Sequence, residues 1–396
     1  MNKHSTLRIP QSRFVIVGAG PAGASLAMRL AAAGRSVTLI EKERFPREKL
    51  CGEFISPECF RHFAELGVRE EMLSLGGARI SETRFYDAPG RSVAVPTRWF
   101  GQGDFALSLS RARMDQALMS SAREVGVNVL EGARAVGTEL NKGRIEAVTV
   151  KTDSGERIDI TGELFVDASG RTGALTRLLS DVPPMKPNLV AFKSHLTGVS
   201  IDPDVCEIYI FSGGYGGLSP IEGGRANLCF IVRAEVAKEL ATTDGGHIHL
   251  VTSSNKRAAV TLRGAVSASE WLAVPIASFG RSKRPSAENL ICVGDAAAFI
   301  DPFTGSGMLM ALESAELLAE CAREHGVSSS DLGEIYVEAH ARKFRNRHAA
   351  SAVLRRAAFM PRLATAVIAV TGASDRFRKR LARATRSGSR GRERRA

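Results

Sequence analysis

Nowhere in the 396 residues does an uninterrupted apolar run approach the roughly 18 residues that a membrane-spanning helix needs, which excludes a helical transmembrane protein. The six cysteines (51, 59, 206, 229, 292 and 321) form no CxxC pair and no metal-ligand spacing. In a long chain that excludes a disulfide scaffold and a zinc centre, and points to reduced thiols in a cytosol. No second GxGxxG follows a strand, so a separate nicotinamide domain is absent. Aromatic residues make up 6% of the chain, with two tryptophans. Residues 1–12 are polar and lack the apolar stretch of a signal peptide; they read as a disordered lead-in. No internal repeat is present.

Positive charge is unevenly spread. The net charge is +12, but residues 376–396 hold ten Lys or Arg against a single acid, Glu393. The body is therefore close to neutral, which argues against a nucleic-acid-binding surface and for a separate, disordered basic tail over residues 375–396.

What the chain does have begins at residue 14. Phe14-Val15-Ile16-Val17 is a short β-prone run suited to a strand buried on both faces. Gly18-Ala19-Gly20-Pro21-Ala22-Gly23 follows, then a helical pattern over residues 25–33, then a second apolar run, Val37 to Ile40, ending at Glu41. This is a βαβ unit with GxGxxG at its turn. Gly18 permits the turn, Gly20 admits a pyrophosphate against the backbone, and Gly23 lets helix pack on strand. The helix start offers free N–H groups, and Glu41 stands where a carboxylate accepts ribose hydroxyls. An adenine dinucleotide is implied, FAD or NAD.

Further along, residues 42–53 form a basic loop ending in Cys51-Gly52-Glu53. Residues 80–86 and 92–95 alternate around a turn at Asp87-Ala88-Pro89-Gly90 and read as a β-hairpin. Ser110 is a cap for a helix that opens with Arg111. Strand patterns recur over residues 189–199, 206–211, 226–232 and 271–279, with helical patterns at 235–240 and 247–263. Residues 289–295 are again strand-like, and a Gly/Ala/Leu-rich helix follows from about residue 306. The division expected is residues 13–78, 101–182 and 285–325 for the nucleotide, residues 79–100 and 183–284 for a substrate sheet, and C-terminal helices over 326–374.

Three pieces together resemble the p-hydroxybenzoate-hydroxylase-like superfamily of FAD enzymes, which includes aromatic hydroxylases, flavin halogenases and geranylgeranyl reductases. The first is GAGPAG with Glu41. The second is Val293-Gly294-Asp295-Ala296-Ala297 with Asp301-Pro302-Phe303-Thr304-Gly305-Ser306-Gly307-Met308, and the third is Asp167-Ala168-Ser169-Gly170-Arg171. The resemblance implies an α/β architecture: a Rossmann-like FAD-binding domain of the glutathione-reductase-like (GR2) type, interrupted by a mixed β-sheet substrate domain and followed by C-terminal helices. It implies FAD held by Gly18, Gly20, Pro21, Ala22, Gly23, Glu41, Lys42, Cys51, Gly52, Arg111, Asp295, Gly305, Ser306, Gly307 and Met308. Asp295 would accept the ribityl hydroxyls. The bare N–H groups at residues 305–308 would face the N1–C2=O edge of the flavin.

The loop at Cys51 is similar to the cysteine-glycine motif of the reductase branch, which makes Cys51 the one catalytic candidate. Gly213-Gly214-Tyr215-Gly216-Gly217-Leu218-Ser219-Pro220 falls where halogenases carry two tryptophans and here has none, which speaks against halogenation. Tyr215, Pro220 and His195 are the candidates for a substrate cavity, within apolar surroundings of Phe192, Leu196, Tyr209, Phe211, Leu218, Phe230 and Trp271. No metal is called for. The leading expectation is a monooxygenase hydroxylating a hydrophobic aromatic, polyketide or quinol-type compound. The alternative is reduction of double bonds in an isoprenoid or lipid, and a remote one is a non-catalytic flavin-binding protein. NAD(P)H or another donor would supply electrons. Location would be cytoplasmic, with peripheral contact between the basic end and an anionic membrane.

Overall fold

The computed structural model describes residues 7–100, 103–180, 185–240, 246–282, 286–326 and 331–386. Its first sheet grows around the strand Leu7–Val17, which lies parallel to Val37–Glu41 on one side and to Arg157–Asp167 on the other. Asn128–Glu131 extends the sheet beyond Val37–Glu41, and Leu290–Cys292 pairs in parallel with Arg157–Asp167. Arg144–Thr152 and Ala133–Asn141 add antiparallel strands at the other edge. Alternation sorts the side chains: Phe14, Ile16, Leu39 and Val166 pack under the helices Pro21–Ala32, Arg111–Glu124 and Gly307–His325, whereas Val15, Val17, Ile40 and Phe165 face the opposite layer. Val17 lies opposite both Ile40 and Asp167, and Asp167 opposite Cys292. Gly18, Glu41, Ala168 and Gly294 therefore emerge together at the carboxyl ends of the parallel strands, where α/β sheets bind ligands.

The second sheet runs Val266–Ser267, Leu189–Thr197, Ala226–Arg233, Gly214–Pro220, Val205–Phe211, Glu82–Tyr86 and Ser92–Pro96, with Leu272–Ile276 also paired to Leu189–Thr197. One face is covered by the helices Ala234–Leu240, Gly246–Ser254 and Lys256–Thr261. The other turns Ala191, Ile208, Ile210, Tyr215 and Ile231 toward a cavity between the sheets. This reverses an expectation. Phe192, Leu196, Tyr209, Phe211 and Leu218 belong to the helix-covered face, and of the seven apolar residues expected at the cavity only Phe230 lines it. Alternation defines two faces but not which of them meets the ligand.

Two further expectations are corrected. The lead-in is not disordered from residue 7: the backbone there pairs with Arg157–Asp167, and the Ser12 hydroxyl lies 2.6 Å from that of Thr38. Residues 1–6 lie outside the described residues. The basic tail is not disordered over its first half either. Asp375–Ala384 is a helix, capped by Ser374 accepting from the Phe377 amide, and it follows the helices Leu332–Ala358 and Pro361–Gly372. Ala382 packs with Val95, Trp99 and Phe100, while the Arg378 and Arg386 guanidiniums lie 5.3 Å and 4.2 Å from the ring centres of Trp99 and Phe100. Arginine stems and cation–π contacts let a strongly basic helix bury one face. Residues 387–396 lie outside the described residues.

Deleting residues 375–396 is therefore expected to uncover Trp99, giving a red-shifted tryptophan emission and new binding of a hydrophobic dye. An emission spectrum identical to the full chain's would mean that the helix covers nothing.

Candidate active site

The cavity between the two sheets has a volume of about 840 Å³ and draws its walls from nearly every part of the chain. At its nucleotide end are Gly18, Gly20, Pro21, Ala22, Glu41 and Lys42. The helix Pro21–Ala32 starts at Gly20 with no side-chain cap, so its first amides are left to a ligand. A Cβ on Gly20 would meet only the Arg111 guanidinium, at 3.6 Å, whereas one on Gly23 would strike the Gly18 carbonyl at 1.9 Å. Gly20 keeps a cradle open, and Gly23, which does not line the cavity, makes the close crossing of helix and strand. Glu41 is already engaged: its Oε2 accepts from the Ala19 amide at 2.9 Å and its Oε1 from the Glu43 amide at 3.2 Å.

Arg111 lies across this end, donating to both oxygens of Asp115 at 2.8 Å and 2.7 Å. Burial opposes its charge, but Asp115 outweighs that and holds the guanidinium above its ordinary pKa. Arg47 reaches the same Asp115 at 3.1 Å and Glu41 at 3.5 Å. Asp295 lines the cavity, but in a 3₁₀ turn beyond the strand Leu290–Cys292. Burial pushes its carboxyl up to about 6 against the pull of Arg111, Lys49 and Arg171. No hydrogen-bond partner for it exists among the described residues, so its oxygens are free for hydroxyl donors.

Farther in, Gly305, Gly307 and Met308 line the cavity at the start of the helix Gly307–His325. Ser306 does not; its hydroxyl, fully buried, lies 2.8 Å from that of Thr304. Tyr215 lines the cavity with its ring, but its hydroxyl donates to Asp301, which also accepts from the Phe303 amide at 2.9 Å. Burial and the Asp301 charge raise the tyrosine pKa well above 10. Asp167 does not face a ligand: it holds its own turn by accepting from Ser169 and Thr176, leaving Ser169, Gly170 and Arg171 at the wall.

Two of the three substrate-cavity candidates are displaced. Pro220 ends its strand opposite Ala226 and does not line the cavity. His195 lies beneath the wall, its Nε2 2.8 Å from Glu53 Oε2. It belongs to a group that the sequence analysis did not assemble. Lys193, 1% exposed, donates at 2.6 Å to Glu53 Oε1 and at 2.6 Å to Glu48 Oε2. Glu53 Oε1 also accepts from the Arg111 amide at 2.9 Å. Burial works to raise the Glu53 pKa, yet His195 and Lys193 hold it below the carboxylate norm; burial works to lower that of Lys193, yet its two carboxylates hold it up. The only signal in the sequence was a lysine inside a strand otherwise made for burial. Between Glu48 and Glu53 the loop carries Cys51 and Gly52, both at the cavity wall, with the Cys51 carbonyl accepting from Asn227 at 3.0 Å.

Residues 11–338 match the FAD binding domain family model. The chain belongs to this family. It is an FAD-dependent oxidoreductase. Over 328 residues it is 26% identical to the digeranylgeranylglycerophospholipid reductase of Methanosarcina acetivorans, covering 80% of this chain and 76% of that one. Over 350 residues it is 28% identical to the menaquinone reductase of Mycolicibacterium smegmatis, covering 83% and 81%. The flavin-dependent brominase Bmp2 shares the fold, with a TM-score of 0.80 at 18% identity, covering 95% of this chain and 93% of that one. FAD suits what the cavity offers: an open glycine cradle at a bare helix start, and an unpartnered carboxylate half-way along.

Two substitutions separate cradle from scaffold. Gly20→Val should fold normally and purify without flavin, whereas Gly23→Ala should lose thermal stability itself; flavin retained by Gly20→Val would remove Gly20 from the cradle. For Asp295, the raised pKa means that the folded apoprotein holds a proton that the unfolded chain has released. Its stability should fall as pH rises from about 4 through about 6. Asp295→Asn should flatten that part of the profile and weaken FAD retention; an unchanged profile and unchanged flavin content would leave Asp295 a turn residue.

Proposed function

We propose that this oxidoreductase reduces carbon–carbon double bonds of an isoprenoid-type lipid. The observation that carries the reading is the arm of the cavity away from the nucleotide end. Phe85, Val93, Val95, Ile208 and Ile210 wall it on the sheet side, and Ala364, Val367, Ile368, Leu381 and Ala382 on the side of the C-terminal helices. Among the described residues no histidine lines the cavity. Its carboxylates (Glu41, Glu43, Glu48, Glu53 and Asp295) all belong to the nucleotide end or to the loop 42–53. A phenol awaiting hydroxylation would find no base in that arm, whereas an alkene needs none. The names of the two reductase relatives agree with this reading.

FAD would be held by Gly18, Gly20, Ala22, Glu41, Arg111, Asp295 and the amides at residues 305–308. Bound there, it would supply a hydride to one alkene carbon, with the Cys51 thiol at the wall as proton donor to the other and regaining its proton from water, and its electron pair would be renewed from NAD(P)H or another two-electron donor. Cys51 and Gly52 sit on the loop that Lys193 pins, so the thiol is presented at a fixed place on the wall. The aliphatic arm orients the chain and excludes water. Among the described residues no helix is long and apolar enough to cross a membrane. Access to a lipid is instead supported by the outer side of the C-terminal helices, where Met360, Leu363, Val370 and Phe377 are exposed alongside Arg362, Arg376 and Arg380.

Hydroxylation of a flat aromatic remains the second reading, favoured by one feature: Tyr215 and Phe303 meet edge to face at 5.1 Å on the cavity wall, a surface against which a ring can stack. Oxygen separates the two. Under anaerobic conditions with dithionite, prenylated substrates should lose double bonds at undiminished rate, and Cys51→Ser should slow product formation at least tenfold while flavin content and flavin reduction survive. Product that forms only when O₂ is admitted, with an added oxygen atom, would overturn the reductase reading.

A further inference from the structure

The helix Asp375–Ala384 and the turn after it show one face to the cavity: Arg378, Leu381, Ala382, Thr385 and Arg386, spaced three and four apart. This segment lies beyond residues 11–338, so it is not part of the matched family domain. The last of these residues is unusual. Arg386 is 6% exposed, and no carboxylate lies within ion-pair distance of it among the described residues. Its Nη1 donates to the Gly305 carbonyl at 3.3 Å, its guanidinium lies over Phe100, and its Nε has no partner. Glu58, whose charge is felt there, stays out of reach, with both of its own oxygens unpartnered. Arg47 and Arg111, by contrast, share carboxylates.

A guanidinium taken out of water without a counter-charge is costly, and an anion accepting from its free edge offsets that cost. The space in front of it is not a general anion site, because the neighbouring walls are Val95, Phe100 and Ala382. An occupant must be charged at one end and greasy along the rest. We infer that Arg386 binds the anionic head, a phosphate or a carboxylate, of an amphiphilic substrate whose apolar body lies in the arm walled by the C-terminal helices. The planar fork of an arginine, rather than a lysine's point charge, suits either head. This rests on the apolar-substrate reading above and adds to it the chemistry of the substrate's polar end.

The test is calorimetric titration of the full-length FAD-loaded enzyme with decyl phosphate, decanoate, decanol and inorganic phosphate. At least one acid should bind ten-fold or more tighter than decanol, and whichever of the two binds tighter names the head. Inorganic phosphate alone should bind at least a hundred-fold more weakly. The advantage of the acid should vanish in Arg386→Gln, return in part in Arg386→Lys, and persist in Arg383→Gln, which removes an exposed charge of the same helix. Should Arg386→Gln fail to fold, a decyl phosphate carrying a photoreactive group beside its head must label residues 304–305 or 385–386 of the wild-type enzyme. Equal binding of decanol and the acids, an advantage that survives in Arg386→Gln, labelling elsewhere, or inorganic phosphate binding as tightly as decyl phosphate would each overturn the head-group site alone. Failure of all three ten-carbon compounds to bind would overturn the apolar-substrate reading together with it.

Discussion

The buried ammonium of Lys193 is the constraint on which the site depends. It stands on the second sheet, and both of its carboxylate partners stand on the loop that leaves the nucleotide sheet after Glu41. With Glu48 removed the ammonium keeps the buried Glu53, and with Glu53 removed it keeps only the partly exposed Glu48, so Glu53 is the partner whose loss costs more. Glu53 shows how tightly the arrangement is drawn: its backbone sits at φ 55°, a left-handed conformation that non-glycine residues enter at a cost of about 1 kcal/mol, and its side chain is held by Lys193, His195 and the Arg111 amide. One residue thus joins the loop, the second sheet and the helix Arg111–Glu124. The stretch carrying Cys51 and Gly52 is suspended between two fixed points rather than hanging as a free loop.

The nucleotide end was legible because its chemistry is local. A strand, a glycine turn, a helix and a second strand follow one another within 28 residues, and Gly23 answers to the carbonyl of Gly18 in the same turn. Glu41, Asp295 and Gly305 were likewise marked by their immediate neighbours. Failure came where an answer required knowing what lies across space. His195 and Tyr215 are both on strands of the second sheet, yet one is turned into the interior and the other into the cavity, and their local patterns carry no sign of the difference. Lys193 looked like an ordinary polar position because its partners are 140 and 145 residues away.

The C-terminal segment misled for a different reason. Its composition reads as solvated charge, and composition ignores that every third or fourth position (Arg378, Leu381, Ala382, Thr385) falls on one side. Small and apolar residues between arginines supplied a face that packs on Val95, Trp99 and Phe100, while the remaining basic residues stay in water. The cofactor end is built from segments scattered between Gly18 and Met308, whereas one side of the apolar arm comes from the single stretch 364–386.

That arrangement sets an order of manufacture. Leu7–Val17, the first strand made, has Arg157–Asp167 as a neighbour, and the Leu290–Cys292 strand closes the same sheet only after the whole intervening region has left the ribosome. Pairings so distant along the chain are slow to form, because loop-closure entropy is spent before any contact repays it. The second sheet draws mostly on one stretch and can consolidate during that wait. Pro361–Gly372 and Asp375–Ala384, which wall the apolar arm, are the last described helices to be made, so that arm lacks one side until the chain is almost complete.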